Sequence, residues 1–213
     1  STIDRLDYSS DTTAAAPKGP LREGRSSMGA AGNGSFGYWV GGNAKTIVDR
    51  LDYSSDTTAA ASKGPISQAR SNIGGTGSAS YGYFGGGEHP PSPTSRSTID
   101  RIDYASDTPT ASPKGSLSLA RIGVGAVSGQ ANGIGSPSPV TVDKGADGYQ
   151  SGTSGPAFGY MAGSGNSGNA TSLLDRIDFS NDTGTATSKG PLPQNRGASA
   201  AVATPSYGYV VRG

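Results

Sequence analysis

Residues 97–117 read STIDRIDYASDTPTASPKGSL, and nearly the same phrase stands at three other places in the chain. It is STIDRLDYSSDTTAAAPKGPL over 1–21, TIVDRLDYSSDTTAAASKGPI over 46–66 and SLLDRIDFSNDTGTATSKGPL over 172–192. The run around Asp-Arg alternates side chains between two faces and has β-branched and aromatic residues at its ends, the pattern of a β-strand. The Ser/Asp cluster after it supplies a turn whose side chains bond nearby backbone amides. A short Thr/Ala run then predicts a second strand, stopped at Pro-Lys-Gly or Ser-Lys-Gly. No stretch carries the 3.6-residue period of a helix.

The copies agree beyond that phrase. After Lys-Gly comes Leu21, Ile66, Leu117 or Leu192, and four residues later an arginine: Arg25, Arg70, Arg121 or Arg196. A run of small residues follows, such as SSMGAAGN (26–33) or SNIGGTGS (71–78), and predicts a third strand. Each unit then reaches an aromatic-glycine-aromatic strand: FGYWVGG from Phe36, YGYFGGG from Tyr81, FGYMAGS from Phe158 and YGYVVRG from Tyr207. From the arginine to the second aromatic is 13 residues in three copies but 39 between Arg121 and Tyr160, so the third unit carries a 26-residue insertion.

Four short strands in a period of about 45 residues mark an all-β fold and, specifically, a propeller blade. The expectation is one domain over 1–213, with repeat units starting near 1, 46, 97 and 172 and an inserted loop at 128–156. Counted from the aromatic strand, complete units run from Phe36 to about Gly77, Tyr81 to about Val127 and Phe158 to about Ala203. The remainder is an aromatic strand at Tyr207–Val211 and three strands within Thr2–Ala31. Pairing these terminal strands predicts a fourth blade and a closed four-bladed ring, which hides the strand edges that invite aggregation. A chain cut from a longer array is the other reading of the same ends.

Composition narrows the function. Of 213 residues, 32% are hydrophobic and 35 are glycine, and no run approaches the length of a membrane span. Without cysteine there is no disulfide, thiol nucleophile or zinc ribbon. Net charge is +1, and every repeat is internally balanced. The repeated charges are Asp4, Arg5, Asp7 and Arg25; Asp49, Arg50, Asp52 and Arg70; Asp100, Arg101, Asp103 and Arg121; Asp175, Arg176, Asp178 and Arg196, together with the turn aspartates and the Lys-Gly lysines. A nucleic-acid binder concentrates basic residues on one surface, and this chain does not. A planar guanidinium meeting a carboxylate or loop carbonyls in fixed geometry is the structural use these pairs suggest.

Little stands out from that background as chemistry. His89 lies alone in the polar connection GGGEHPPSPTSR, without the converging donors of a metal site. Calcium at the DYSSDT turns is a weaker reading than self-capping turns. No cofactor is implied, and no acid, base or nucleophile set supports an enzyme. The insertion holds Asp143, Lys144, Asp147 and Tyr149 among Gly, Ser and Pro. Loops on a rigid frame carry recognition, so these residues and His89 are the candidate contacts to a partner or glycan. A long loop with no ligand fits the insertion equally well.

The order of aromatic strand with Gly-Gly, IDRIDY, a short strand and PLSxAR resembles the kelch-type blade over nearly the whole chain outside the insertion. The family's third-strand tryptophan is replaced by small residues here, and Gly-Gly is eroded to AGS and VRG in the last two copies. The phrase also resembles repeat proteins of marine bacteriophages, cyanophages in particular. That resemblance implies a non-enzymatic virion component on a tail, neck or fibre, outside the cell, with other virion proteins or a host surface glycan or receptor as partner. The alternative is a secreted or surface lectin-like propeller of a bacterium. Neither reading involves nucleic acid or membrane insertion. Because the repeated charges are read as structural, Arg50→Ala should lower the melting temperature without removing any chemistry. An unchanged thermal transition overturns that assignment.

Overall fold

The computed structural model describes residues 1–10, 12–89, 94–128, 158–163, 170–195, 199–203 and 207–212. These residues form an all-β structure. Three four-stranded antiparallel sheets follow one another along the chain, flanked by a two-stranded pair at each end.

The opening pair is β1 (Asp4–Arg5) and β2 (Ala16–Pro17). The first full sheet is β3 (Gly29–Gly32), β4 (Phe36–Val40), β5 (Val48–Asp52) and β6 (Ala61–Lys63), paired in that order. The second has β7 (Gly74–Gly77) and β8 (Tyr81–Gly85), then a small hairpin, β9 (Glu88–His89) with β10 (Thr94–Ser95), before β11 (Ile99–Asp103) and β12 (Ser112–Pro113). The third joins β13 (Gly125–Ser128), β14 (Phe158–Ala162), β15 (Leu174–Asp178) and β16 (Thr187–Ser188). The closing pair is β17 (Ser199–Ala203) and β18 (Gly208–Arg212).

One register recurs in all three sheets. The aromatic strand pairs with the Asp-Arg strand so that Tyr38 faces Arg50, Tyr83 faces Arg101 and Tyr160 faces Arg176. Each sheet begins, however, with the small-residue strand, one strand earlier than the aromatic-first grouping expects. The reason is local. Asn33 closes a tight turn between β3 and β4 by accepting from the amides of Ser35 and Phe36, both at 2.9 Å. The Ser78 hydroxyl accepts in the same way from Ser80 and Tyr81. A three-residue turn of this kind makes the two strands hairpin neighbours. The terminal strands therefore divide two and two, not three and one.

The small-residue strands also form the edge at which sheets converge: β3 packs on β7, β7 on β13 and β13 on β17. Close approach explains their composition. A Cβ added to Gly75 would stand 2.3 Å from the Ala30 carbonyl oxygen, and one on Gly74 would stand 2.8 Å from that of Val124. The Gly-Gly pair after β4 has left-handed backbone, φ +67° at Gly41 and +83° at Gly42, which only glycine adopts without strain. That conformation lets the Gly42 amide donate to the Arg70 carbonyl at 2.9 Å, and Gly87 does the same to Arg121 at 2.8 Å.

The core lies between successive sheets. Tyr38, Val40, Val48 and Ile66 meet Phe84, Ile102 and Tyr104 across the first gap. Tyr83, Ile99 and Leu117 meet Val124, Met161 and Ile177 across the second. Stacked rings join each gap, Tyr38 with Tyr104 at 4.8 Å and Tyr83 with Phe179 at 4.6 Å between centroids.

The Lys-Gly glycines seat one sheet on the next. A Cβ at Gly64 would lie 1.9 Å from the Pro109 carbonyl oxygen, and its amide already donates to the Asp107 carbonyl at 2.9 Å. Backbone cannot yield as a flexible side chain can, so Gly64→Ala is expected to cost about 3 kcal/mol or more. Urea denaturation of the variant checks this; a loss under about 0.5 kcal/mol would mean the junction is looser than described.

Candidate functional site

Two kinds of charged site repeat through the structure. The first is buried inside each sheet. The arginine just before a small-residue strand reaches the first aspartate of the Asp-Arg strand: Arg25 to Asp49, Arg70 to Asp100 and Arg121 to Asp175. All six side chains are fully buried. The guanidinium also donates to backbone carbonyls, from Arg25 to Gly41 at 2.5 Å and Ile47 at 3.2 Å, and from Arg70 to Gly86 at 2.6 Å and Thr98 at 3.0 Å. It thus ties the end of the aromatic strand to the start of the Asp-Arg strand. Burial pushes Arg70 and Arg121 down from the ordinary arginine range, and the facing aspartates work against that shift. An arginine starts so high that it stays charged.

The three pairs differ in the second carboxylate oxygen. Arg22 Nε donates to Asp49 Oδ1 at 2.6 Å, and the Ser118 hydroxyl donates to Asp175 Oδ1 at 2.6 Å. Asp100 Oδ1 is buried with no hydrogen-bond partner. Asp100 therefore depends on Arg70 more heavily than its counterparts depend on their own arginines.

The second site lies between sheets and centres on the third aspartate of each phrase. Asp107 accepts from the Tyr38 hydroxyl at 2.8 Å, from Arg50 at 2.8 Å and from Lys63 at 3.0 Å, all on the preceding sheet. Asp182 accepts from Tyr83 at 3.0 Å, Arg101 at 2.7 Å and Lys114 at 3.5 Å. Asp56 accepts from Arg5 at 2.8 Å and Lys18 at 3.2 Å of the opening pair. Burial opposes the charge on Asp107, yet the bonds from Lys63 and Tyr38 and the nearby Arg50 hold its carboxyl below the usual carboxylate range. Burial first, then the bond to the aspartate, pushes the Tyr38 and Tyr83 phenols well up. Each arginine is further held by an aromatic face: Arg50 over Phe36 at 4.3 Å, Arg101 over Tyr81 at 4.4 Å and Arg176 over Phe158 at 4.1 Å.

The remaining repeated aspartates cap turns. Asp7, Asp52 and Asp178 each accept from the amide and hydroxyl of the serine two residues on, and these bonds lower their carboxyls. Asp103 accepts from the Ala105 amide at 2.9 Å. Asp4 is exposed on β1. His89 sits half-buried on β9, opposite Thr94. Asp143, Lys144, Asp147, Tyr149 and Arg196 lie outside the described residues. The insertion leaves the sheet at Ser128 and rejoins it at Phe158, where the other two sheets have three-residue turns. No group of three or more metal-ligating side chains comes together among the described residues.

From sequence, the third aspartate of each phrase is expected to bond nearby amides of its own turn; instead its side chain reaches the preceding sheet, and Asp7, Asp52 and Asp178 take the capping role. Its role as a three-donor acceptor, and the part of Tyr38 and Tyr83, emerge only when sheets are stacked. The available signal was its constant place, seven residues after the buried aspartate, on the turn between two strands.

No protein-family model matches the chain, and no curated protein matches it either. Among solved structures it is similar to one titled "Structure of YjhT", with a TM-score of 0.64 and 13% sequence identity. The likeness covers 92% of this chain and 59% of that one, so the chain spans about three fifths of that protein's length. At this identity the likeness concerns the fold alone.

Breaking a buried ion pair by removing one partner strands the other charge and costs about 3–5 kcal/mol. Arg70→Leu should fall at the upper end because Asp100 has so little else. Guanidinium denaturation of the variant measures the loss; a cost below about 1 kcal/mol would mean that water takes over the carboxylate.

Proposed function

We propose that this chain is a kelch-like β-propeller whose fourth blade is made by pairing N- and C-terminal strands, and that it serves as a non-enzymatic structural and attachment module of a phage virion. One observation carries the reading. The repeated charges are spent on joining strands within a sheet and sheets to one another, in the same geometry each time. Side chains consumed in this way supply rigidity and leave recognition to the segments that do not repeat.

Those segments are the insertion at 128–156 and the connection around His89. Both leave from strand ends of a stiff frame, the placement proteins use for recognition loops. Other virion proteins or a host surface glycan are the partners that such loops would meet. The virion setting comes from the phrase's resemblance to phage repeat proteins; the frame of the molecule is compatible with an extracellular particle.

The test is where the polypeptide travels. Lysates of the phage or host that produces it are sedimented, and antibody to the chain is followed alongside negative-stain images of each fraction. The expected result is co-sedimentation with megadalton particles bearing tails or fibres. Recovery solely as a free small species, with binding to immobilised glycans, overturns the virion reading in favour of a lectin-like module.

A further inference from the structure

The end of each sheet where the aromatic strand passes to the Asp-Arg strand is filled differently in the three sheets. In the first, two neighbouring residues ahead of β3 fill it. Arg22 Nε donates to Asp49 Oδ1 at 2.6 Å, and Glu23 accepts from Lys45 at 2.7 Å with Arg25 Nε 3.9 Å away. The bond from Lys45, helped by the charges of Arg25 and Arg22, holds the Glu23 carboxyl below its usual range. Arg22 keeps 38% of its side chain in solvent while it reaches an aspartate that is fully buried. A basic-acidic pair of adjacent residues thus lies along the surface with both charges met.

The second sheet has the same receiving groups and lacks the pair. Ser67 and Gln68 stand at the places of Arg22 and Glu23. Arg96 stands at the place of Lys45: its carbonyl accepts from the Arg121 amide at 3.0 Å, as the Lys45 carbonyl accepts from the Arg70 amide at 3.2 Å. Asp100 Oδ1 is left buried without a hydrogen-bond partner, and so are Arg70 Nε and Arg96 Nε. Arg96 meets no carboxylate among the described residues, whereas Lys45 has Glu23. The third sheet needs no pair. Ser118 satisfies Asp175 with both its amide and its hydroxyl, and Thr171 replaces the cation. Of the three sheets, the second leaves both a carboxylate oxygen and a guanidinium without a counterpart among the described residues.

We propose that this end of the second sheet binds an Arg-Glu step, a basic residue followed by an acidic one, on the surface of a partner protein. The guanidinium takes Asp100 Oδ1 as Arg22 takes Asp49 Oδ1, and the carboxylate lies between Arg96 and Arg70 as Glu23 lies between Lys45 and Arg25. Charge complementarity selects the pair. A lone cation is repelled by Arg70 and Arg96, and a lone anion leaves Asp100 Oδ1 unmet. A buried carboxylate oxygen without a donor gains most from a charged one. Seating the pair moves aside Ser67, which is half-buried, and Gln68, which is exposed. Arg96 directly follows the β9–β10 hairpin that carries His89, so the site and that connection share one end of the sheet. The proposal rests on the attachment reading only for there being a partner protein, and it adds the chemistry of that partner.

The probe is the blocked tetrapeptide Leu-Arg-Glu-Gly, the sequence of residues 21–24, titrated into the full chain by calorimetry at low salt. The expected result is saturable binding of one peptide per chain, weakened about tenfold or more when alanine replaces either charged residue of the peptide. Arg96→Ala should weaken the parent peptide to the same extent and leave the peptide without its glutamate unaffected, the non-additivity that marks a direct pairing. Ser67→Arg together with Gln68→Glu builds the pair into the second sheet itself, so this double variant should melt higher and no longer bind the peptide. Absence of saturable binding by the unaltered chain overturns the proposal. Equal binding by the double variant puts the peptide elsewhere and overturns it too. Methylguanidinium that binds as tightly as the peptide reduces the site to Asp100 and overturns the pair. None of these outcomes bears on whether the polypeptide sediments with particles, so failure here leaves the virion reading to its own test.

Discussion

A single carboxylate set between two sheets is the constraint from which the rest of the structure follows. Asp107 must accept from a phenol, a guanidinium and an ammonium that all belong to the sheet before it. Meeting all three fixes the distance and rotation between neighbours. An aspartate left in that gap without its donors would be a desolvated charge, which costs several kcal/mol. The same turn also offers its backbone oxygen to the Lys-Gly amide, so side chain and main chain specify one docking geometry together.

That geometry explains the unusual composition. Sheets held this closely converge along strands made of Gly, Ala, Ser and Thr, because larger side chains would collide with the neighbouring backbone. Hydrophobic content is low because the core is divided into thin layers between sheets, each filled by a few aromatic and branched side chains. Buried arginines do work that larger apolar cores do elsewhere. Each joins two strand ends and brings a charge whose burial is tolerated only by a facing carboxylate and several carbonyls.

Repetition of this kind makes the stability of the chain a sum over units and junctions. The exposed Tyr209 and Val211 stand at repeat positions where Tyr38 and Val40 are fully buried.

The sequence by itself determined the repeat, its four strands, the all-β class, the side-chain-bonded turn after the Asp-Arg strand, and the use of Arg25, Arg70 and Arg121 as internal ties. These depend on side-chain alternation and on partners close in the repeat, which spacing reveals. That Asp7, Asp52 and Asp178 cap this turn, rather than the aspartate within it, came from the structure. Which strands share a sheet was misread by one position, because a three-residue turn closed by Asn33 is weaker in print than the Gly-Gly pair that resembles a boundary. The Gly-Gly pair instead lets the next arginine's carbonyl dock. Only the tertiary structure decided what Asp56, Asp107 and Asp182 accept, and that Tyr38 and Tyr83 join them. Those donors sit 38 to 99 residues away in sequence, across a junction whose geometry depends on packing rather than on spacing.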